Sequence, residues 1–251
     1  MIRLIVCGAA GRMGRQIIVN LCQDPDLKLV GAIESPGSAT LGKDACLLSN
    51  CSSCGVMITD SLQELAGKAD CIISFANPSG SLEHVHAAAK MKKPIVIGTT
   101  GLSEEATNEF KKLSKIVPIV FAANMSTGVN TMWSMVEKAG QVFGKSFSVT
   151  MKEVHHVHKK DAPSGTALHT AELIAAASGR KLSDIPIESI REGEVVGDHT
   201  IVFSGPGETL EVTHRAISRD TFAVGALRAA KWLVDKKPGL YDMQQVLGLK
   251  P

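Results

Sequence analysis

Short apolar runs alternate with segments of helical period along the first half of the chain. The runs that we interpret as buried strands are residues 3–7, 29–34, 71–75, 95–98 and 119–122. Between the first two, Met13, Ile17 and Leu21 recur at the spacing of one helix face. Residues 85–89 carry a similar apolar stripe. This alternation is typical of a parallel sheet wound with helices, so the first half is predicted to be α/β.

The pattern changes in the second half of the chain. Apolar and polar residues alternate strictly at 147–152 and again at 210–215, which is typical of half-buried strands. An Ala-rich segment at 166–177 lies between them, and Gly179 follows it as a glycine follows the end of a helix. Residues 222–234 are predicted to form the last helix. We therefore expect an antiparallel or mixed sheet with helices after the parallel one.

Composition excludes several classes of partner. The 251 residues include 44% hydrophobic and 21% charged residues, which is enough apolar side chain for a substantial core. Lys+Arg number 27 against 25 Asp+Glu, so the chain lacks the basic excess that binds nucleic acid. No apolar run approaches the roughly 20 residues of a membrane helix. The start of the sequence shows no secretory leader, and we expect a cytoplasmic protein.

A glycine-rich turn follows the first predicted strand. Residues 8–14 read Gly-Ala-Ala-Gly-Arg-Met-Gly and open a helix, as the phosphate-binding turn of a dinucleotide site does. A turn that merely needs glycine is the simpler interpretation. Glu34 ends the second strand 20 residues after Gly14, where an acid binds ribose hydroxyls. Because Ser35 offers no positive charge to a 2′-phosphate, we predict that NADH is preferred over NADPH.

A second polar cluster begins with His155, His156 and His158 and continues through Lys159. Neighbouring side chains on a strand point to opposite faces, so the histidines do not form an evident metal site, and no metal is expected. A solvated polar loop remains an alternative. However, residues 163–166 start the Ala-rich helix, so backbone N–H groups, hydroxyls and a lysine converge where an anion would bind. This pattern indicates reduction of a C=C or C=N bond in an acidic small molecule.

The cysteines lie in the first 71 residues and do not predict a disulfide framework. Cys7, Cys22 and Cys71 fall in predicted strands or helices as small hydrophobic residues. Cys46, Cys51 and Cys54 form a C-x-x-C pair with a third cysteine nearby. This group lacks a second ligand pair and does not open a thioredoxin-like helix. A variable loop is therefore favoured over a zinc or redox role.

With these motifs in place, the sequence closely resembles the dihydrodipicolinate reductase family (4-hydroxy-tetrahydrodipicolinate reductases) of the diaminopimelate route to lysine. The resemblance covers nearly the whole chain and rests on residues 8–14, 98–101, 122–125, 153–159, 161–166, 197–200, His214, Arg219 and 222–226. The most specific of these motifs is Glu-Val-His-His-Val-His-Lys followed by Asp-Ala-Pro-Ser-Gly-Thr.

The resemblance implies roles for individual residues. His155 is implied as proton donor or acceptor and Lys159 as proton donor, and of the two we favour Lys159 because an ammonium also attracts a dianionic substrate. The implied substrate-binding residues are His156, Gly165, Thr166, Ser164 and Thr100. The cofactor-binding residues are Gly8, Ala9, Ala10, Gly11, Arg12, Met13, Glu34, Gly98, Thr99, Thr100, Ala122, Ala123, Asn124 and Met125. The implied reaction is nicotinamide-dependent reduction of a small dicarboxylate.

The resemblance also implies a domain organisation. We expect a Rossmann-type dinucleotide-binding domain at 1–126, an α+β mixed-sheet domain for substrate and oligomerisation at 127–220, and a C-terminal helix segment at 221–251 that returns to the first domain. Family members are generally homotetramers joined through the second domain's sheets. Here the segment before Arg191 is shorter than the Gly- and Arg-rich loop of many members, which puts the details of that assembly in question.

Two other functions remain possible from sequence alone. One is a related two-domain Rossmann oxidoreductase that acts on another amino-acid precursor, such as an aspartate dehydrogenase. The other is a nucleotide-binding protein without catalytic activity, since a fold alone does not give a function. The dense His-Lys and Pro-Ser-Gly-Thr motifs argue against both.

Overall fold

The structure, a computed structural model, describes residues 1–250, except for the side chain of Ala66. It divides into two compact units. The first comprises Met1–Ser126 and the segment from Asp220 onward, and the second comprises Thr127–Arg219. Strands and helices are numbered below in chain order.

Within the described residues, the first unit is built on a seven-stranded parallel sheet in the order β11-β6-β5-β4-β1-β2-β3. Its strands are β1 (Ile2–Cys7), β2 (Leu27–Ile33), β3 (Ile58–Thr59), β4 (Cys71–Ser74), β5 (Ile95–Ile97), β6 (Pro118–Phe121) and β11 (Gly239–Tyr241). Its helices are α1 (Arg12–Gln23), α2 (Ala45–Leu48), α3 (Leu62–Leu65), α4 (Pro78–Lys90), α5 (Glu104–Leu113), α8 (Asp220–Leu233) and α9 (Met243–Val246).

Strand β1 is buried on both faces, which is why its sequence is continuously apolar rather than alternating. Leu4 and Val6 pack with α1 and α8 on one face. Ile5 and Cys7 pack with α4 and α5 on the other. The chain continues from β1 to β2 on one side, whereas β4 lies on the other side of β1. In such sheets the crevice at the carboxyl ends of the strands, where the strand order reverses, is the usual ligand site.

The second unit is a four-stranded mixed sheet in the order β10-β9-β7-β8. Its strands are β7 (Ser148–His155), β8 (Ile187–Arg191), β9 (Gly197–Gly205) and β10 (Glu208–Ala216), and only β7 and β8 of these described strands run parallel. Helices α6 (Thr127–Phe143) and α7 (Gly165–Ser178) cover one face. The core between them includes Trp133, Val136, Ile174 and Phe203.

The predicted fold class is confirmed: a parallel α/β sheet is followed by a mixed sheet with helices. The strand alternation at 147–152 lies mainly in β7, and Gly179 ends α7 in the left-handed conformation with φ +66°. Helix α6 was not predicted. No described helix is long and apolar enough to span a bilayer.

One disulfide is present although no disulfide framework was predicted. It joins Cys46 in α2 to Cys54 in the loop that follows. Cys7, Cys22, Cys51 and Cys71 are free thiols. The bonded pair is therefore not the Cys51–Cys54 pair of the C-x-x-C motif.

Candidate active site

The turn after β1 is closed tightly enough to require glycine at two positions. Gly8 has φ +76°, and a Cβ there would lie 2.5 Å from the carbonyl oxygen of Phe75. A Cβ at Gly14 would collide with the carbonyl oxygen of Gly8. The start of α1 therefore packs directly on the end of β1. This is the geometry in which a helix N-terminus can accept a pyrophosphate.

Helix α1 begins without a side-chain cap. Its N-cap is Gly11, an exposed residue with extended backbone. The N–H groups in the first turn of any helix lack an acceptor within that helix. A negative group placed at Gly11 would therefore meet these donors and the positive end of the helix dipole. The residues present fit the phosphates of a dinucleotide.

Glu34 lies directly after β2 and faces this turn. Its Oε1 accepts a hydrogen bond of 2.8 Å from the backbone N–H of Ala10, and its Oε2 accepts one of 3.2 Å from Ser35. The carboxylate therefore helps to fix the turn. It also faces a cavity of about 660 Å³ at the carboxyl edge of the sheet. Gly8, Gly11, Glu34, Ser35, Phe75, Asn77 and His84 are among the residues that line this cavity.

The other predicted cofactor residues occupy different environments. Ala9 is fully buried in the core and Met13 packs against it, whereas Arg12 is exposed. Ala10 donates its N–H to Glu34. The side chains of Ala9 and Met13 therefore serve packing, and the backbone N–H of Ala9 already donates a hydrogen bond to the carbonyl oxygen of Ile33.

Residues 98–100 follow β5 and residues 122–125 follow β6, at the same carboxyl edge as Gly8. Gly98 and Ala122 continue the hydrogen-bonding pattern of the parallel sheet. The N–H of Gly98 donates to the carbonyl oxygen of Ser74, and the N–H of Ala122 donates to that of Ile97. Thr99 is buried, and its hydroxyl contacts Ser81 at 2.5 Å. Thr100 and Ala123 are exposed, Met125 is buried, and Asn124 Oδ1 accepts the N–H of Ser126.

The second unit holds a buried ionic network on the inner face of β7. Glu153 is 0% exposed, yet its carboxylate is fully engaged. Oε1 accepts a hydrogen bond of 2.9 Å from Arg191 Nη2, and Oε2 contacts Nδ1 of His155. Burial acts to raise the pKa of Glu153, but hydrogen bonds from Arg191 and other partners outweigh it, so the pKa is lowered. Glu153 is therefore a carboxylate at neutral pH.

His155 and His199 are held neutral at ordinary pH by burial. Burial lowers the pKa of His155 against the opposing influence of Glu153. Burial, followed by the proximity of His155, lowers the pKa of His199 to about 3. The two rings meet edge to face with centroids 5.2 Å apart, and Ser164 Oγ lies 3.3 Å from Nε2 of His199. A neutral His155 donates its Nδ1 hydrogen to Glu153, so Nε2 is the nitrogen that could accept a proton.

Lys159 and the first turn of α7 meet at one carboxylate. The Nζ of Lys159 lies 2.9 Å from Oδ1 of Asp161. The backbone N–H of Gly165, the first residue of α7, lies near this carboxylate and helps to lower its pKa. Partial burial acts to raise the pKa of Asp161, but Lys159 and backbone N–H groups outweigh it and lower the pKa. An ammonium and the N-terminus of a helix thus lie beside the same carboxylate.

The other predicted substrate residues of the second unit lie around this corner, whereas the predicted Thr100 belongs to the first unit. Ser164 is buried and caps α7 by accepting the N–H of Ala167 at 3.2 Å. Gly165 is exposed, and His156 and Thr166 are half-buried. The backbone carbonyl of His156 accepts the N–H of Lys159. Residues 155–166 are thus gathered at one end of the second unit, between β7 and α7.

The acid and the histidines of this network have ligand atoms close enough to hold a metal. One atom each from Glu153, His155 and His199 lie within 4.8 Å of one another. However, the guanidinium of Arg191 already neutralises Glu153, and a metal ion would have to bind beside that fixed positive charge. The donor set therefore suits an ion-paired network better than a cation site.

Sequence reasoning assigned no role to Glu153, Arg191, Asp161 or His199. A signal for Glu153 was available, because it alternates with His155 on the apolar face of a predicted strand, where a carboxylate must have partners. Arg191 gave no such signal: it lies on β8, which pairs with β7 from far along the chain.

The chain matches two protein-family models. The model described as dihydrodipicolinate reductase, N-terminus, covers residues 2–125, and the C-terminus model covers residues 128–247. A 4-hydroxy-tetrahydrodipicolinate reductase of Geotalea daltonii is 42% identical over 267 aligned positions, and one of Trichlorobacter lovleyi is 43% identical, each with 100% of both chains covered. The structure of a dipicolinate-bound dihydrodipicolinate reductase from Paenisporosarcina sp. TG-14 has a TM-score of 0.83 and 24% identity, with 98% of both chains covered, which shows a common fold. From the family models and the full-length relatives together, it follows that this chain belongs to the dihydrodipicolinate reductase family.

Proposed function

We propose that this chain catalyses the nicotinamide-dependent reduction of dehydrated 4-hydroxy-tetrahydrodipicolinate to tetrahydrodipicolinate, in lysine and diaminopimelate biosynthesis. The family is one of nicotinamide-dependent reductases. The observation in the structure that carries the proposal is the ion pair of 2.9 Å between Lys159 Nζ and Asp161 Oδ1, just before the start of α7. A protein carboxylate held this way is a stand-in for a carboxylate of a dianionic substrate.

In this proposal a substrate carboxylate replaces Asp161 at the start of α7. Lys159 and the Gly165 N–H then bind the incoming anion, with Thr166 and His156 as neighbouring polar groups. Thr100 is assigned to the substrate as well, on the resemblance alone. The helix dipole and the ammonium both favour negative charge at this position. Since both are already in place, binding needs little rearrangement beyond release of Asp161.

Lys159 is assigned as the proton donor. When bound, the reduced nicotinamide supplies the hydride. Lys159 stabilises the negative charge that develops in the substrate and delivers a proton to it. His155 is the second candidate, but its Nε2 would be only 3.0 Å from a Cβ at Gly197, so the ring is packed against β9. We therefore assign His155, held by Glu153, chiefly to orienting this corner of the site.

The proposed cofactor is NADH in preference to NADPH. The Glu34 carboxylate lies at the end of β2 beside the cavity, where it can accept hydrogen bonds from ribose hydroxyls. It would repel a 2′-phosphate, and the neighbouring Ser35 is neutral. Comparing kcat/KM for the two cofactors tests this preference. In Glu34→Gln the ratio of kcat/KM for NADPH to kcat/KM for NADH should rise about tenfold, which corresponds to about 1.4 kcal/mol. A wild-type preference for NADPH would contradict it.

The reaction itself is tested by following the loss of NADH absorbance while the unstable substrate is generated in place by its synthase. Turnover that depends on the synthase supports the proposal. Tight NADH binding without turnover would instead favour a non-catalytic nucleotide-binding protein. Turnover with an amino acid and NAD⁺, but not with the generated substrate, would favour a related dehydrogenase.

We also propose that the chain works in the cytoplasm as a homotetramer joined through the second unit. Helices α6 and α7 cover one face of its sheet. The other face carries Thr150, Lys152, Thr200 and Thr213. A polar, Thr-rich face of this kind can pair with a second copy through hydrogen bonds. Light scattering of the purified protein gives the mass, and a monomer at micromolar concentration would contradict the proposal.

A further inference from the structure

The segment 161–164, which leads into α7, is tied at both ends to one buried ion pair of the second sheet. The ion pair joins β7 to β8, with 2.9 Å between Glu153 Oε1 and Arg191 Nη2. The same Nη2 donates a hydrogen bond to the backbone carbonyl oxygen of Asp161. The same Oε1 accepts a hydrogen bond of 3.4 Å from the backbone N–H of Ser164. One guanidinium nitrogen and one carboxylate oxygen therefore contact the first and the last residue of the segment.

The pairing of β7 with β8 determines where this ion pair lies. In the parallel register Glu153 is opposite Ser189. Two positions further along, His155 is opposite Arg191. Because side chains two apart on a strand point to the same face, all four lie on one face of the sheet. The long side chain of Arg191 reaches back by two positions to Glu153, so two strands, and not the segment itself, fix the position of both charges.

Stability alone does not explain these contacts. The side chain of Glu153 is 0% exposed and that of Arg191 is 19% exposed. Removing two such charges from water costs about as much as their attraction returns, so a well-packed apolar pair would stabilise the sheet equally well. Asp161 is an exposed residue, where water is an alternative partner for the backbone carbonyl. The hydrogen bond from Arg191 therefore determines where the backbone of Asp161 lies.

We propose that Glu153 and Arg191 are positioning residues of the substrate site, which hold segment 161–164 in the place where it presents the anion-binding groups. This inference rests on the proposed function, because the anion is taken to be a substrate carboxylate. Lys159 Nζ lies 2.9 Å from Oδ1 of Asp161, so the segment sets where that ammonium stands and where α7 begins. Glu153 and Arg191 act through the backbone of the segment and not by binding the substrate.

Glu153 has a second positioning effect, on the imidazole of His155. Its Oε2 contacts Nδ1 of that ring, which can donate a hydrogen only in the tautomer that leaves Nε2 as the acceptor. In Glu153→Gln the amide oxygen would face Arg191, and the amide NH₂ would face Nδ1 of the ring. An NH₂ group needs an acceptor there, so this variant should favour the opposite tautomer. The tautomer of His155 therefore reports on the carboxylate.

The position of the segment is tested first without any substrate, by hydrogen–deuterium exchange of the full-length chain read by mass spectrometry. In Arg191→Lys the side chain keeps its positive charge beside Glu153. It is one atom shorter and lacks the planar fork, so it should lose the carbonyl oxygen of Asp161. Peptides that cover residues 161–165 should then exchange about fivefold to tenfold faster, the effect of losing one hydrogen bond. Peptides of β9 and β10 should exchange as in the wild type.

Steady-state kinetics with the synthase-generated substrate then measures the consequence for the site. In Arg191→Lys the KM for the substrate should rise by about 10–100-fold, the range seen when an outer partner of a site residue is lost. The Kd for NADH, which is proposed to bind in the first unit, should stay within about twofold. Arg215→Lys is the matched control, because it makes the same change in an exposed ion pair of the same sheet, with Asp198. It should leave both the exchange and the KM unchanged.

Nitrogen-15 NMR of the imidazole rings tests the role of Glu153 in the unaltered chain, in case a variant fails to fold. The signals of His155 are identified by their loss in His155→Gln. At pH 7 they should show a hydrogen on Nδ1 and none on Nε2. In Glu153→Gln this pattern should be reversed.

The proposal is overturned if Arg191→Lys leaves the exchange of residues 161–165 unchanged, or if the exchange rises there while KM and kcat keep their wild-type values. An equal rise in β9 and β10 would show an ion pair that only stabilises the sheet, and would overturn it as well. So would a wild-type His155 that carries its hydrogen on Nε2. Failure of the proposed function would be distinguishable, because the wild type would not turn over the generated substrate, whereas the exchange and NMR measurements need no substrate.

Discussion

Lys159 is the residue whose charge the proposed reaction needs most. Its Nζ is held 2.9 Å from Oδ1 of Asp161, just before the start of α7. Lys159→Ala removes both the cation proposed to bind the substrate and the proposed acid. We expect kcat to fall by about 10²–10⁴-fold, the usual contribution of a positioned proton donor, while the Kd for NADH is nearly unchanged. Steady-state kinetics and NADH fluorescence titration measure the two quantities.

The neighbouring Lys160 provides the control for this experiment, because it is exposed and has no assigned role. Lys160→Ala should leave kcat within about twofold, as most exposed substitutions do. If Lys159→Ala turned over at the wild-type rate, Lys159 would have no part in proton delivery.

His199 links the site to the pH dependence of stability. Its pKa is about 3 in the folded protein, against about 6.5 for an unfolded histidine. Below pH 6.5 the unfolded state therefore binds a proton that the folded state does not, and stability falls as the pH falls. Between pH 7 and pH 5 this residue should cost about 2 kcal/mol of unfolding free energy.

Urea unfolding at pH 7 and at pH 5 measures this loss of unfolding free energy. In His199→Gln the loss should be smaller by about 2 kcal/mol, the share assigned to His199. Gln keeps a polar side chain that can reach Ser164 but does not titrate. His169→Gln, on the exposed face of α7, is the control and should leave the pH dependence unchanged. Equal pH dependence in the wild type and His199→Gln would contradict the assignment of His199 as a buried neutral histidine.

At the scale of elements, α8 belongs to the nucleotide-binding unit although it comes almost at the end of the chain. Leu233 on this helix is 0% exposed and packs in the same core as Leu4 and Val6 of β1. Leu233→Ala should therefore destabilise the first unit by about 2–5 kcal/mol. Val224→Ala on the same helix should cost less than about 1 kcal/mol, because Val224 is 50% exposed. Thermal unfolding followed by circular dichroism compares the stability of the two variants. Equal losses of stability would contradict the assignment of α8 to that core.

Elements with a strong local signal could be predicted from the sequence. The buried strands of the parallel sheet were found to within a residue or two because each is a continuous apolar run between helices. The short strands β3 and β11 span only two and three residues, which is too short for a period to show.

Helix α6 was missed although its buried residues Val129, Met132, Trp133 and Val136 follow a helical period. Its apolar stripe has Gly and β-branched residues among its polar positions, and these weaken a helix signal.

The residues of the candidate site likewise fall into two groups: those that a local sequence motif predicts and those that only the tertiary structure brings together. His155, Lys159 and the start of α7 are contiguous in sequence, so their motif could be recognised. Arg191 reaches Glu153 only because β8 pairs with β7. Such contacts depend on tertiary pairing, which periodicity does not encode. The parts of the site that needed two distant segments are thus the parts that the sequence left open.

At the scale of the whole molecule, each unit has its own hydrophobic core and one tryptophan. Trp232 lies on α8 in the first unit, and Trp133 lies on α6 in the second, where its Nε1 donates a hydrogen bond of 2.9 Å to Thr170. In Trp133→Phe the fluorescence therefore reports on the first unit, and in Trp232→Phe it reports on the second. Unfolding of the two units can be followed separately in this way.

A dinucleotide that binds only at the glycine turn should stabilise only the unit that contains it. At a hundred times its Kd, NAD⁺ should add about 2.7 kcal/mol to the unfolding free energy reported by Trp232. NAD⁺ is used because, unlike NADH, it does not absorb the tryptophan emission. The unfolding free energy reported by Trp133 should stay the same, since the second unit closes its core without residues of the first. If both tryptophans reported the same shift, the two units would unfold as one cooperative body, and the nucleotide would stabilise the substrate site along with its own.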